Sequence, residues 1–129
     1  GFLPTSENSL LERAAEKINF VPQRGDFARG IFSAIYVDSD LTEEEAYDLY
    51  NSYYASHPFT SVSKANIDLK QVVNTNKSII HLEKHGSKLL ILNATGNLLK
   101  GASGQAVQNM NLMFGLEERT GLNLKSVGF

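Results

Sequence analysis

The sequence predicts an α+β domain: a mixed, largely antiparallel sheet carrying two main helices. Three observations lead there. Two β-rich runs, Ser78 to Glu83 and Lys88 to Ala94, are joined by a short turn at Lys84 to Ser87 in which Gly86 supplies a positive φ. Thr42 and Glu45 form a capping box ahead of apolar and aromatic residues at helical spacing. A second helical stripe runs from Gly101 to Phe114 and meets Gly115, placed to serve as its C-cap.

In chain order, Gly1 to Pro4 reads as a tether, and Ser6 caps a helix whose Leu10, Leu11, Ala14 and Ala15 share a face. Residues 1–17 are therefore an N-terminal tether and helix, and 18–129 the domain proper. Ile18 to Val21 is a short strand closed by Pro22, and Gln23 to Arg29 is a loop carrying Gly25, Arg24 and Arg29. Gly30 then opens a strand from Ile31 to Val37, rich in β-branched and aromatic residues.

The capping box starts a helix over 43–55, with Ala46, Leu49, Tyr50, Tyr53 and Tyr54 as a stripe read as core packing rather than a ligand-stacking face. His57-Pro58 ends it, because proline restricts the preceding residue to extended backbone. Phe59 to Val62 is a weak strand, and Ile67 to Asn76 is irregular with Val72-Val73 as its anchor. In the last helix Ala102, Ala106, Val107, Met110 and Met113 are expected to bury one face, and Gly101 and Gly104 to allow close backbone approach.

Of 129 residues, 42% are apolar and 20% charged, the balance of a globular protein. A net charge of −2 without a basic cluster argues against nucleic acid as a partner. The longest apolar run, Leu89 to Leu92, is far short of the roughly 20 residues that cross a bilayer, so no membrane role and a cytoplasmic location are expected. There is no cysteine, and hence no disulfide, thiolate zinc site or cysteine nucleophile in the chain. His57, His81 and His85 do not form an i, i+4 pair on a predicted helix and read as surface or turn residues, with no metal expected.

Polar chemistry concentrates in Asn93 to Gln105, where a strand end, a glycine-bracketed turn and a helix start converge. Helix N-termini present free N–H groups and a positive partial charge that favour anions. An ordinary strand-to-helix connection accounts for the same residues, and the Gly-x-x-Gly spacing is not a dinucleotide fingerprint.

Asn97 to Asn111, NLLKGASGQAVQNMN, resembles the C-terminal signature of the N-acetyl-gamma-glutamyl-phosphate reductase family. The stretch from Phe20-Val21-Pro22 to Arg29-Gly30-Ile31 resembles that family's loop, in which a Thr-Pro-His turn precedes an Arg-Gly pair. The resemblance implies an NADP-dependent reduction of an acylated glutamyl phosphate to its semialdehyde, in arginine biosynthesis. A cysteine thiolate attacks the acyl phosphate, phosphate leaves, and hydride reduces the thioester. It also implies the second domain of a glyceraldehyde-3-phosphate-dehydrogenase-like protein, which forms homodimers or homotetramers and whose last helix packs on a preceding Rossmann NADP domain.

That domain, the cysteine and the family's catalytic histidine have no counterpart here, so the resemblance implies an inactive chain when isolated. By the same resemblance Arg29 grips the substrate's phosphate or carboxylate through its guanidinium fork, with Arg24, Gln23 and Asn76 as further substrate contacts. Gln23 stands where many relatives have histidine. Asn97 is expected beside the nicotinamide carboxamide, and Lys100, Gly101 and Gln105 toward cofactor charge, while Gln105, Gln108 and Asn109 face the first domain. Gly96 replaces the family's aspartate. Two other readings stay open at this point: a non-catalytic dimerisation module, and a relative of the aspartate-semialdehyde dehydrogenases. Whether the acyl group is acetyl or succinyl is not legible.

Overall fold

The computed structural model describes residues 18–125, so the helix expected from Ser6 lies outside the described residues. Strands β1 (Ile31–Asp38), β2 (Thr60–Ser63), β3 (Ser78–His85) and β4 (Lys88–Thr95) form one sheet in the order β1-β4-β3-β2. β4 is antiparallel to both β1 and β3, and β2 is parallel to β3. With helices α1 (Glu43–Tyr54) and α2 (Gly104–Met113) this is the α+β architecture, mixed and largely antiparallel, that the sequence predicts.

The β3–β4 hairpin turns at Gly86, whose φ of 57° an L side chain rarely adopts, and His85 then pairs with Lys88. At the start of α1 the Glu45 N–H donates to Thr42 Oγ1 at 3.2 Å and the Thr42 N–H donates to Glu45 Oε2 at 2.8 Å. These bonds hold the Glu45 carboxyl below the usual carboxylate range. The helix lays Ala46, Tyr47, Tyr50 and Tyr54 on Val62, Ile80, Leu82, Leu89 and Ile91, and this is the core.

The expected aromatic stripe is split. Tyr50 and Tyr54 pack inward as predicted, whereas Leu49 and Tyr53 are exposed, Tyr53 stacking on His57 with ring centroids 5.5 Å apart. Tyr47, outside the predicted stripe, is buried because β2 is only four residues long. Beyond Ser63 the Tyr47 hydroxyl takes the place of the missing strand: it accepts from the Leu82 N–H at 3.2 Å and lies 2.9 Å from Leu82 O, 3.0 Å from Ser63 O and 3.1 Å from His81 Nδ1.

Two expectations are corrected. Ile18 to Val21 forms no strand: no described strand pairs with it, Pro22 lacks an N–H, and Phe20 is 83% exposed. The last helix is rotated from the expected orientation, so that of the face expected to be buried only Val107 turns inward. Gly104 and Asn111 are buried and Val107 and Gln108 half-buried, while Ala102, Ala106, Met110 and Met113 are exposed. The reason is polar: Asn111 Nδ2 donates to the carbonyls of Glu118 and Thr120 at 3.1 and 3.0 Å, so the C-terminal turn occupies the inner face through hydrogen bonds. Gly115, with φ 66°, ends α2 as predicted, and the Leu116 N–H reaches Asn111 O at 2.8 Å.

Candidate functional site

Antiparallel pairing of Ile31 with Thr95 puts the start of β1 and the end of β4 at the same end of the sheet. The loop 23–30 before β1 and the turn 96–103 after β4 therefore emerge side by side. They are joined there: the Gly30 N–H donates to Asn97 Oδ1 at 2.8 Å. Gly30 has φ 98°, and a Cβ on it would lie 2.8 Å from the Leu69 side chain, so glycine suits this crossing on both counts.

The turn itself is wide. Gly101 N–H donates to Gly96 O at 2.8 Å and Ser103 N–H to Leu98 O at 3.1 Å, and the Gly104 N–H closes the π-helical turn Leu99–Ser103 on Leu99 O. Such i→i−5 turns recur at functional sites because they leave part of the backbone off the regular ladder. Gly96 is wedged against two main-chain oxygens, where an added Cβ would stand 2.6 Å from Thr75 O and 2.8 Å from Val72 O. This conformation has no room for a side chain at position 96, including the aspartate that the family resemblance implies there.

Of the residues expected to meet a cofactor, Asn97 uses its carbonyl on Gly30 and has no partner for Nδ2 among the described residues. The Gly101 N–H is used within the turn. Lys100 Nζ donates to Gln108 Oε1 at 2.8 Å and sits 5.9 Å from the centre of the Phe59 ring, and Gln108 Nε2 continues to Glu118 Oε1 at 2.7 Å. Gln105 is exposed at the start of α2.

Of the expected substrate contacts, Arg29 is exposed, bonds locally to Ala28 O at 2.8 Å, and has no carboxylate at ion-pair distance among the described residues. Gln23 and Arg24 are exposed on the same loop. Asn76 is buried under α2: its Nδ2 donates to Leu122 O at 2.9 Å, and its Oδ1 has no partner among the described residues. A Cβ on Gly104 would fall 1.6 Å from that oxygen, so α2 starts directly on Asn76. Asn76 thus reaches the underside of the turn that Asn97 opens, beside a cleft of about 140 Å³ that includes Phe59, Lys77 and Arg119.

A second feature lies on the sheet face opposite α1. By register, Phe32, Ala34 and Tyr36 of β1 share it with Leu90 and Leu92 of β4 and with Ile79, His81, Glu83 and His85 of β3. Tyr36 is 69% exposed and Phe32 43%. Glu83 spans two histidines there, His85 Nε2 at 2.6 Å and His81 Nε2 at 3.3 Å, and these bonds, led by His85, hold its carboxyl below the usual range. The exposed aromatics Phe32 and Tyr36, beside this charged cluster, make the face a candidate interaction surface. The outward Met110 and Met113 of α2, with Phe114 just beyond it, form another.

The family model that matches residues 5–97 is that of the semialdehyde dehydrogenase dimerisation domain. The chain belongs to this family. The exposed sheet is thus carried by a domain family named for self-association. The chain is 59% identical over 113 residues, 88% of its length, to a Bacteroides fragilis protein named N-acetyl-gamma-glutamyl-phosphate reductase, of which that match covers 35%. Proteins of the same name from Azobacteroides pseudotrichonymphae and Parabacteroides distasonis are 57% and 53% identical, over 88% and 96% of this chain and 36% and 38% of theirs. The dimerisation domain here spans about a third of the length of the curated relatives it matches. Among the described residues no helix is long and apolar enough to cross a membrane.

Proposed function

We propose that this chain is the substrate-binding and dimerisation part of a cytoplasmic NADPH-dependent reductase that converts N-acetyl- or N-succinyl-γ-glutamyl phosphate to the semialdehyde in arginine biosynthesis. The observation that carries the reading is the 53–59% identity, across most of this chain, to proteins named for the acetyl reaction. The chain has no cysteine and spans about a third of its relatives' length, and on this reading the nucleophile and the dinucleotide cradle belong to a preceding NADP-binding domain. Isolated, the chain is inactive, and it assembles as a homodimer or homotetramer through the exposed face bearing Phe32 and Tyr36.

Arg29 supplies the guanidinium for the substrate's phosphate or carboxylate, and its freedom from a carboxylate partner among the described residues suits that task. Gln23 and Arg24 flank it on the loop, and Asn76 supports the site from beneath the turn. The residues fit a nicotinamide edge to this extent: the unbonded Nδ2 of Asn97 and the exposed Gln105 are donors at the open side, while Lys100 and Gly101 shape the turn that presents them. NADPH, when bound, supplies the hydride.

The test is turnover by the full protein containing this chain, with NADPH and either acylglutamyl phosphate or aspartyl phosphate. Acylglutamyl phosphate should be reduced, and Arg29→Ala should raise its KM about tenfold or more, the scale of a lost charge-assisted hydrogen bond. Preference for aspartyl phosphate would assign the chain to a different semialdehyde dehydrogenase. No turnover with either would leave dimerisation as its role.

A further inference from the structure

We infer that Asn97 is a positioning residue for the Arg29 loop, acting through its side-chain carbonyl, in addition to whatever its amide group meets. Among the described residues, the Gly30 N–H to Asn97 Oδ1 bond is the one hydrogen bond that ties residues 18–30 to the rest of the domain. The loop has no regular secondary structure, its residues from Ile18 to Arg29 are exposed, and it enters the sheet only at Ile31. The direction in which it leaves β1 is therefore set at Gly30, by the φ of 98°, by Leu69 pressed against the glycine, and by this bond.

Arg29 is the residue next to that anchor. A guanidinium on a long flexible stem grips an anion well only when its backbone is fixed, and a displacement of about 1 Å in a positioning group can cost about 100-fold in rate. The same asparagine lies just ahead of the π-helical turn Leu99–Ser103, so one side chain sets the spacing between the turn and the arginine loop. The carbonyl faces Gly30 and the amide is left for a ligand, which divides the two roles between two atoms of one group.

This inference rests on the reading of Arg29 as the substrate's anion contact, and the experiment separates the two. In the full protein, Asn97→Ala removes the acceptor, whereas Asn97→Asp keeps an acceptor for the Gly30 N–H and exchanges the amide donor for a carboxylate charge. Asn97→Ala should raise the KM for the acyl phosphate about tenfold, while Asn97→Asp, whose added charge itself opposes an anionic substrate, is read by the Gly30 amide instead. Hydrogen exchange of the Gly30 amide gives the readout independent of activity: protection should vanish in Asn97→Ala and persist in Asn97→Asp.

The inference is overturned if Gly30 remains protected in Asn97→Ala, or if both variants raise only the KM for NADPH. If Arg29→Ala leaves the acyl-phosphate KM unchanged, it is the arginine reading that fails, and the Gly30 amide still decides whether Asn97 holds the loop.

Discussion

Replacing Tyr47 by phenylalanine removes one oxygen from the place where β2 runs out. In the folded protein that hydroxyl accepts from the Leu82 N–H and lies within 3.1 Å of Leu82 O, Ser63 O and His81 Nδ1, in a side chain 4% exposed. His81 Nδ1 and Ser63 O retain each other at 2.9 Å, but both main-chain groups of Leu82, itself 1% exposed, lose their bonding partner on that side. An orphaned buried donor or acceptor costs about 1–3 kcal/mol, so the loss should be about 2–3 kcal/mol. With a urea slope of about 1–3 kcal/mol per M for a domain of this size, the midpoint should fall by about 1 M. Urea unfolding followed by circular dichroism measures it, with Tyr53→Phe as the exposed control. A loss below about 0.5 kcal/mol, the scale of ordinary surface changes, would refute the idea that the hydroxyl completes the ladder.

Gly96→Ala should destabilise by about 1–3 kcal/mol, because its Cβ would press on the oxygens of Thr75 and Val72, which are main chain and give way only with the fold. An unchanged melting temperature would contradict that geometry. Tyr36→Asp, which places a charge on the exposed sheet face, should shift the protein toward monomer in sedimentation equilibrium at micromolar concentration. An unchanged mass would move the dimer contact elsewhere.

The elements written in short-range chemistry were legible: the Thr42–Glu45 box, the Gly86 turn and the Gly115 cap each depend on residues within one turn of chain, and each is where the sequence places it. Val72-Val73 was legible as an anchor because two adjacent β-branched residues in polar surroundings have few places to go but inward. Ile18 to Val21 looked like a strand because apolar content cannot reveal whether a partner edge exists. The orientation of α2 was misjudged for a related reason. Its stripe of alanine and methionine is amphipathic, but periodicity says only that one side is apolar, not that this chain supplies the surface it meets.

The site divides in the same way. Arg29-Gly30 and Asn97 could each be singled out from local pattern, but their contact spans 67 residues and follows from the β1–β4 register, which sequence spacing does not contain. Lys100 meets Gln108, which the apolar stripe of the helix places on the outer face and the structure turns inward. Tyr47 and Glu83 gave no signal, since a lone tyrosine beside a stripe and a lone glutamate in a strand are ordinary until their neighbours are known.

The central claim is that this chain is the substrate and dimerisation portion of an acyl-phosphate reductase, and an exchange of parts tests it most directly. The third of the Bacteroides fragilis reductase that matches this chain is replaced by residues 18–125, and the chimera is assayed for NADPH oxidation with acetylglutamyl phosphate. The account predicts a dimeric chimera that turns over within about tenfold of its parent, since a 1.4 kcal/mol misfit at the junction costs no more than that. A folded, dimeric chimera with no turnover above the rate without protein would contradict it.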